Sequence, residues 1–301
     1  MDIQALYPRL ENINFIAKQV VEGFMSGLHQ SPHHGYSVEF AEHRSYTPGD
    51  PLRYVDWKVY GRTEKMYVKK FEEETNVRSY FLLDRSSSMH YKGDGPWSKL
   101  EYGALLIASL AYLSQKQLDG VAWGYFSDKL ESLSPVKSGA SHLHQMMLSL
   151  EQVIQTDTTG VKTDLHQSLQ NLKNRIPKRS LIYIFSDFLM NEEDMDDWVD
   201  TIQEWKYLQH EVVLVSLHDV KTEINLDFKS GNYTLADLES NARLDISVDQ
   251  VREEYQEKIK EHLKKLEDFS LAHEIDFILF DTQSSPEEIL RNYLMNRSKM
   301  R

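Results

Sequence analysis

The stretch that decides the fold is SYFLLDRSSSM, residues 79–89. Its apolar run YFLL has the length of a strand and is rich in residue types that fit a pleated surface. The polarity changes abruptly at Asp84, so we expect a strand covered on both faces that ends at this residue. In open α/β sheets the ligand binds beyond the carboxyl ends of the strands. Asp84, Ser86 and Ser88 therefore lie where a functional site is usually found.

These three residues offer only oxygen ligands. One carboxylate with two hydroxyls at alternate positions suits a hard divalent cation such as Mg²⁺, which keeps several waters and takes few protein carboxylates. The alternative is a Ser-rich turn that caps the next helix. Taken alone, the triplet favours this simpler interpretation, because Asp and Ser are common in turns. Support for a metal site must come from elsewhere in the chain.

The composition is that of an ordinary globular protein, with 301 residues, 41% hydrophobic and 27% charged. No stretch of about 18 apolar residues is present, and the N-terminus MDIQALYPRLENINF does not have the pattern of a signal peptide. We therefore expect a cytoplasmic protein without membrane insertion. The chain has no cysteine, which excludes disulfides, thiolate nucleophiles and zinc sites of the Cys type. The net charge of -13 argues against nonspecific binding to nucleic acid or anionic membranes.

After Arg78, strand patterns alternate with helix patterns, which predicts parallel strands joined by crossover helices. We expect an α/β fold in which residues 77–301 form a doubly wound, mostly parallel sheet, with a hairpin insertion near 222–247 and C-terminal helices. Residues 1–76 are expected to form a small module, an N-terminal helix plus a β-rich part. Its helix is predicted from apolar residues at helical spacing between Leu6 and Leu28.

The elements predicted after the first strand follow from the same patterns. The strands are Val121–Phe126, Leu130–Val136, Ser180–Phe185, Val212–Leu217 and Ile275–Phe280. The helices are Leu100–Lys116, Leu143–Val153, Leu165–Leu172, Asn191–Leu208, Val248–Ala272 and one that begins at Pro286.

Residues 44–62 interleave four basic side chains with four aromatic rings. Such interleaving could bind single-stranded nucleic acid. It could equally be a structural mesh in which the Arg side chains pair with Glu39, Asp50 and Asp56 and stack on Trp57. We favour the mesh, because a nucleic-acid groove needs unpaired positive charge.

Two later segments carry further oxygen ligands. The apolar strand SLIYIF, residues 180–185, runs directly into Ser186 and Asp187. The loop QTDTTGVKTDL, residues 155–165, is rich in hydroxyl groups and ends where Thr163 or Asp164 caps a helix. In the common doubly wound order the strands bearing Asp84 and Asp187 are neighbours. The combined donors would suit an octahedral Mg²⁺ or Mn²⁺ site, and they are Asp84, Ser86, Ser88, Thr163 and Asp187.

This combination resembles the metal-ion-dependent adhesion site of von Willebrand factor A domains, whose pattern is D-x-S-x-S, a distant Thr and a later Asp. The resemblance implies that the Ser and Thr hydroxyls bind Mg²⁺ directly or nearly so and that the carboxylates act partly through water. It also implies an open position that is filled by an Asp or Glu of a protein partner. The family's usual Gly-x-Thr loop appears here as GVKT, residues 160–163. Thr158 and Thr159 are therefore rivals of Thr163 as the loop ligand.

The resemblance extends along the chain. The segment GYSVEFAEHRSYTPGDPLRYVDWKVYGRTEKMYVKKFEEE, residues 35–74, resembles the signature of the bacterial family called domain of unknown function 58, which carries an A-type domain behind it. IFSDF at 184–188 and RNYLMNR at 291–297 continue the match. Members of that family are often encoded beside MoxR-type AAA+ ATPases. The resemblance thus implies a non-enzymatic adaptor whose partner is such an ATPase.

An enzyme is the chief alternative. An Asp at the end of a first strand is also the nucleophile position of haloacid-dehalogenase phosphatases, which need a second acid two residues further on. That place is Ser86 here, and a hydroxyl cannot protonate a leaving group as a carboxylic acid does. The chain also has no GxSxG elbow and no GxxxxGK[ST] phosphate loop. We therefore expect a binding protein, with an Asp84-dependent hydrolase as the alternative.

Overall fold

The computed structural model describes residues 12–28, 43–46, 57–63, 65–69, 77–156, 164–173, 175–190, 201–238 and 242–300. The chain divides into two compact units, of which one comprises residues 1–25 and 77–301 and the other residues 26–76. A boundary near residue 76 was expected, but the N-terminal helix groups with the larger unit instead of with the small module. The reason is its apolar face, since Ile13, Ile16 and Ala17 are buried in the core of the larger unit.

The strands of the larger unit agree closely with the predicted ones, and two short strands belong to the small unit. The strands are β1 (His43–Ser45), β2 (Tyr67–Lys69), β3 (Arg78–Asp84), β4 (Gly120–Phe126), β5 (Leu130–Leu133), β6 (Leu181–Ser186), β7 (Glu211–His218), β8 (Asn232–Ala236), β9 (Arg243–Ser247) and β10 (Asp276–Asp281).

The helices also follow the predicted pattern, except α2 at Trp57–Thr63, which was not predicted and lies in the part of the small module that was expected to be β-rich. They are α1 (Ile13–Leu28), α2 (Trp57–Thr63), α3 (Lys99–Lys116), α4 (Ala140–Gln155), α5 (Leu165–Gln170), α6 (residues 201–207), α7 (Val248–Ala272) and α8 (Pro286–Met300). The parts of the predicted helices before residue 12 and at 191–200 lie outside the described residues. In the described part of the chain, no helix combines the length and apolarity needed to cross a membrane.

The central sheet has six strands among the described residues, in the order β10-β7-β6-β3-β4-β5. Neighbouring strands are parallel except β5, which is antiparallel to β4 at the edge. The fold is thus mixed α/β with a mostly parallel sheet, as predicted. Because β3 lies between β4 and β6, the two strands that carry the candidate site are neighbours. The hairpin β8–β9 lies at the end of the expected insertion and pairs only with itself among the described strands.

Strand β3 contributes alternately to two apolar cores, one on each face of the sheet. Phe81 and Leu83 belong to the core that contains residues of α1, α3, α4 and α8, whereas Tyr80 and Leu82 belong to the core that contains residues of α5, α6 and α7. The uninterrupted apolar run in the sequence is explained by this burial on both faces. Helix α3 approaches the sheet closely at Gly103, where an added Cβ would lie within 3.0 Å of a Leu83 methyl group.

The small unit contains the antiparallel pair β1–β2 and helix α2. The predicted mesh of Arg side chains depends on Glu39, Asp50 and Asp56, which lie outside the described residues. Trp57 begins α2, is 55% exposed and meets Tyr60 edge-on with 6.1 Å between the ring centroids. The mesh therefore stays a prediction.

Candidate metal centre

The loop after β3 is organised around the carboxylate of Asp84. This residue ends the strand and is fully buried, and its Oδ1 accepts a hydrogen bond of 2.8 Å from the backbone N–H of Ser86. The hydroxyls of Ser86 and Ser88 lie 3.1 Å apart. The turn therefore brings together a carboxylate and two hydroxyls at the carboxyl end of the central strand.

The simpler interpretation of this turn, a Ser-rich helix cap, is not what the structure contains. Ser86 precedes a short 3₁₀ helix at Ser87–His90, but its side chain makes no capping hydrogen bond. The cap of α3 is Ser98, whose hydroxyl accepts from the backbone N–H of Glu101 in a complete capping box. The hydroxyls of Ser86 and Ser88 are therefore not used to cap a helix.

The loop after β6 meets the first loop directly. The hydroxyl of Ser186 donates a hydrogen bond of 2.7 Å to Oδ2 of Asp84. Asp187, which is 4% exposed, has a side-chain hydrogen bond with Ser88. The structure thus brings together four of the five ligands predicted from sequence, namely Asp84, Ser86, Ser88 and Asp187.

The fifth predicted ligand, Thr163, lies outside the described residues, as do its rivals Thr158 and Thr159. The description resumes at Asp164, which caps α5 by accepting from the backbone N–H of Gln167. Its own N–H donates to the carbonyl of Ser127, directly after β4. The start of α5 is therefore anchored to the loop that follows the strand next to β3.

A buried lysine is the residue that the sequence analysis missed. Lys99 is the first residue of α3 and is 1% exposed. Its Nζ lies 2.7 Å from Oδ2 of Asp187 and 2.5 Å from Oε1 of Glu223, and it lies 5.7 Å from the centre of the Tyr91 ring. A signal did exist in the sequence, because a cation in the first turn of a helix is unfavourable to the helix dipole and needs a local partner.

Comparison with known proteins decides the family. The model of the family described as "Protein of unknown function DUF58" matches residues 42–265. The chain belongs to this family. An uncharacterized relative, Rv1480 of Mycobacterium tuberculosis, is 24% identical over 249 residues, which covers 83% of this chain and 76% of that protein. YeaD of Bacillus subtilis, also uncharacterized, is 27% identical over 152 residues, 50% of this chain and 35% of that protein.

Solved structures also match this DUF58 chain. The conserved hypothetical protein BatB of Bacteroides thetaiotaomicron aligns with a TM-score of 0.47 and 14% identity, covering 74% of this chain and 99% of that one. An aerotolerance-related membrane protein of Bacteroides fragilis aligns with a TM-score of 0.47 and 15% identity, covering 73% and 99%.

The electrostatics of the DUF58 site separate its two aspartates. Burial and the nearby charge of Asp187 raise the pKa of Asp84 to about 6, although hydrogen bonds from Ser186 and Ser86 oppose the shift. Burial would also raise the pKa of Asp187, but the ammonium of Lys99 outweighs it and lowers that pKa. Burial and the Lys99 charge lower the pKa of His218 to about 4, so this imidazole is neutral. At neutral pH both aspartates are therefore ionised and lie near the ammonium of Lys99.

The donor set fits a hard divalent cation with few carboxylate ligands. Among the described residues, no group of three or more His, Cys, Asp or Glu side chains is arranged to hold a metal ion, so an all-acid or histidine site is absent there. What the loops offer is two carboxylates and two hydroxyls, all oxygen, which suits Mg²⁺ or Mn²⁺ better than a softer metal. Asp84, Asp187 and Glu223 against Lys99 leave two formal negative charges, the number that one divalent ion neutralises.

Proposed function

We propose that this DUF58 protein is a non-enzymatic adaptor whose von Willebrand factor A-like domain binds Mg²⁺ or Mn²⁺ and uses it to capture an acidic group of a protein partner. The observation that carries the proposal is the convergence of Asp84, Ser86, Ser88 and Asp187 at the carboxyl ends of the neighbouring strands β3 and β6. The site would hold the ion through hydroxyl and carboxylate oxygens. Thr163 completes the proposed set.

The arrangement explains how an acidic protein could bind a partner carboxylate. The metal, when bound, supplies a positive charge that accepts the partner's Asp or Glu as a ligand. Asp84 and Asp187 would provide the fixed negative charge that holds the ion. Ser88 is only partly buried, unlike Asp84, Ser86 and Asp187. Leu189 is 46% exposed two residues after Asp187 and offers an apolar contact beside the site.

The partner we propose is a MoxR-type AAA+ ATPase, on the basis of the family resemblance. The chain itself has no phosphate-binding loop of the GxxxxGK[ST] type, so ATP hydrolysis would come from that partner. The protein would act in the cytoplasm, where such ATPases work, and would need neither nucleic acid nor membrane insertion.

Co-purification from the native host with Mg²⁺ and with EDTA tests this function. We expect an ATPase to be retained with Mg²⁺ and lost with EDTA, and to be lost in Ser86→Ala and Ser88→Ala at any metal concentration. Ser109→Ala is the matched control, because its buried hydroxyl donates to the carbonyl of Leu105 within α3, away from the site. Retention of the same partner at full strength in EDTA would contradict the proposal.

The alternative is a metal-dependent phosphatase-like hydrolase that uses Asp84. Both carboxylate oxygens of Asp84 accept hydrogen bonds, from Ser86 and from Ser186, and the side chain is fully buried, which leaves it poorly placed to attack a substrate. Release of phosphate from a general substrate such as p-nitrophenyl phosphate, dependent on Mg²⁺ and abolished in Asp84→Asn, would favour the hydrolase over the adaptor.

A further inference from the structure

The ammonium of Lys99 is the closest positive charge to the candidate metal ligands in the described part of the chain. It is held by a salt bridge of 2.7 Å to Asp187 and one of 2.5 Å to Glu223, and its side chain is 1% exposed. Asp187 comes from the loop after β6, whereas Glu223 comes from the short π-helix Val220–Ile224 after β7. Lys99 thus joins two loops at the carboxyl end of the sheet.

Both oxygens of Asp187 are already hydrogen-bonded. Lys99 donates to Oδ2, and the backbone N–H of Leu189 donates to Oδ1 over 3.3 Å. The Leu189 contact is long and neutral, while the Lys99 contact is short and charge-assisted, so the ammonium is the stronger of the two. A cation bound at Oδ2 competes with Lys99 for that oxygen, and a cation bound at Oδ1 still meets the repulsion of an ammonium that is bonded to the same carboxylate.

Glu223 gives Lys99 a second partner that does not depend on the metal. Oε1 of Glu223 accepts from Nζ, and Oε2 accepts from the backbone N–H of Asp219, which fixes the carboxylate in its own loop. If the ammonium loses Asp187, it retains a buried acid that neutralises it. Displacement by a metal ion is thus feasible without leaving an unpaired charge in the interior.

We infer that Lys99 is a built-in competitor of the divalent ion: its ammonium occupies Asp187 in the metal-free protein, and metal binding shifts it onto Glu223. The inference rests on the proposed function and specifies how that site is regulated. The affinity for Mg²⁺ or Mn²⁺ is set by this competition, in addition to the small number of carboxylate ligands.

Calorimetric titration of the full chain with Mg²⁺ and with Mn²⁺ tests the inference. Lys99→Met keeps a long unbranched side chain and removes the ammonium, and we expect the metal to bind at least about tenfold more tightly because a competing positive charge is gone. The control is Lys221→Met, which removes one cation from the π-helix that contains Glu223. Lys221 is bonded to the exposed Asp94 and not to Asp187. We expect it to change the affinity by less than about twofold, because exposed charges are screened.

A second variant separates direct competition from net charge. Lys99→Met combined with Glu223→Gln removes one positive and one negative charge, so the formal charge of the cluster is that of the wild type. We expect this double variant still to bind metal more tightly than the wild type, because Asp187 is released. In Lys99→Met both Asp187 and Glu223 lose the ammonium, whereas in the double variant only Asp187 remains as an acid. The double variant can therefore replace Lys99→Met in the titration if Lys99→Met alone does not fold in EDTA.

The outcomes distinguish this inference from the proposed function. If the wild type binds metal and both Lys99 variants bind it with equal or lower affinity, Lys99 positions Asp187 instead of competing for it, and the inference is wrong while the function stands. If the wild type binds no metal but the Lys99 variants do, the inference holds and the metal-dependent function of the wild type fails. If none of the proteins binds metal, both fail.

Discussion

The Nζ of Lys99 lies 2.7 Å from Oδ2 of Asp187, with side-chain exposures of only 1% and 5%. These residues are 88 positions apart in sequence, one at the start of α3 and the other just after β6. Removal of the Asp187 carboxylate leaves Lys99 with Glu223 alone, so the ammonium stays neutralised but loses a short hydrogen bond in a medium of low polarity. The stability of the metal-free protein therefore depends on a residue that is also a candidate metal ligand.

The first prediction concerns Asp187→Ala in EDTA. Loss of this carboxylate leaves the ammonium of Lys99 neutralised by Glu223 but removes one of its two hydrogen-bonded acids. We therefore expect the free energy of unfolding to fall by about 1–3 kcal/mol, the range for a buried donor that loses a partner. Urea denaturation monitored by circular dichroism measures the change. Asp94→Ala, which removes the exposed partner of Lys221, is the control and should change stability little. Equal losses of unfolding free energy in the two variants would mean that the buried pair stabilises the protein no more than the exposed one.

The second prediction concerns Asp84→Asn, which should not lower the free energy of unfolding as Asp187→Ala does. The carboxylate of Asp84 is buried near that of Asp187, and its pKa is raised from 3.8 to about 6, so its ionised form is disfavoured by folding at pH 7. A neutral amide avoids that penalty and can still bond to Ser86 and Ser186.

We therefore expect Asp84→Asn to be as stable as the wild type in EDTA, or more stable by at most about 3 kcal/mol, and to lose the stabilisation by Mg²⁺. Thermal unfolding with and without Mg²⁺ measures both effects. A variant that is much less stable than the wild type in EDTA would show that Asp84 has a structural role, and unchanged stabilisation by Mg²⁺ would remove it from the ligand set.

How much of this could be predicted from sequence depends on the range of the interactions. The strand from Arg78 to Asp84 and the helix Val248–Ala272 were predictable because their apolar pattern and their end signals are local. The pairing of β3 with β6 followed from a general rule of doubly wound sheets. In contrast, Lys99 and Glu223 are 124 residues apart, and no local pattern indicates that they meet.

In the N-terminal region, too, the sequence pattern predicts the local element but not its distant contacts. The amphipathic pattern of α1 predicts a helix with a buried face, but the pattern does not identify the unit against which that face packs. Ile13 and Ile16 are buried in the core of the larger unit, and the N–H of Ile13 donates to Glu151 of α4. The interleaved cations and rings of residues 44–62 likewise do not determine burial, since Trp57 is largely exposed.

The third prediction concerns the loop ligand among Thr158, Thr159 and Thr163. Asp164 is anchored to the carbonyl of Ser127 at the carboxyl end of β4, and Thr163 directly precedes it in sequence. We expect Thr163→Ala to weaken Mg²⁺ binding in calorimetry as much as Ser88→Ala does, and Thr158→Ala and Thr159→Ala to leave it unchanged. A loss confined to Thr158→Ala or Thr159→Ala would transfer the role to that threonine.

The fourth prediction is a pH dependence that arises away from the site. His210 is 4% exposed, and its Nδ1 accepts a hydrogen bond of 3.3 Å from the backbone N–H of Ser180. Burial lowers the pKa of His210 below its ordinary value of 6.5, so the unfolded chain takes up this proton at a higher pH than the folded protein does. The stability contributed by the neutral imidazole is therefore complete above pH 6.5 and decreases as the pH falls below it.

Comparison of the wild type with His210→Asn isolates this contribution. The buried His218 acts in the same direction in both proteins, so it cancels in the difference. We expect the wild type to lose more unfolding free energy than the variant as the pH is lowered from 7 to 5, measured by urea denaturation at each pH. Parallel curves for the two proteins would show that the pKa of His210 is the same in the folded and unfolded states.

The last prediction concerns how the partner is held. A site of two acids and three hydroxyls leaves a position on a six-coordinate ion for a ligand from outside, and an incoming carboxylate is the natural one. In the absence of the ion the same carboxylate would face Asp84 and Asp187, whose negative charges repel it. Contact with a MoxR-type ATPase should therefore require Mg²⁺ or Mn²⁺ and should be lost in Ser88→Ala, whose stability is expected to be close to that of the wild type.

The contact should also be lost when one Asp or Glu of the ATPase is replaced by Ala, and replacement of a neighbouring acid of the ATPase is the matched control. Surface plasmon resonance with Mg²⁺ and with EDTA measures the binding. An interaction that persists at full strength in EDTA would mean that the partner does not bind at the metal centre, and the unit of residues 26–76 would then be the next candidate surface.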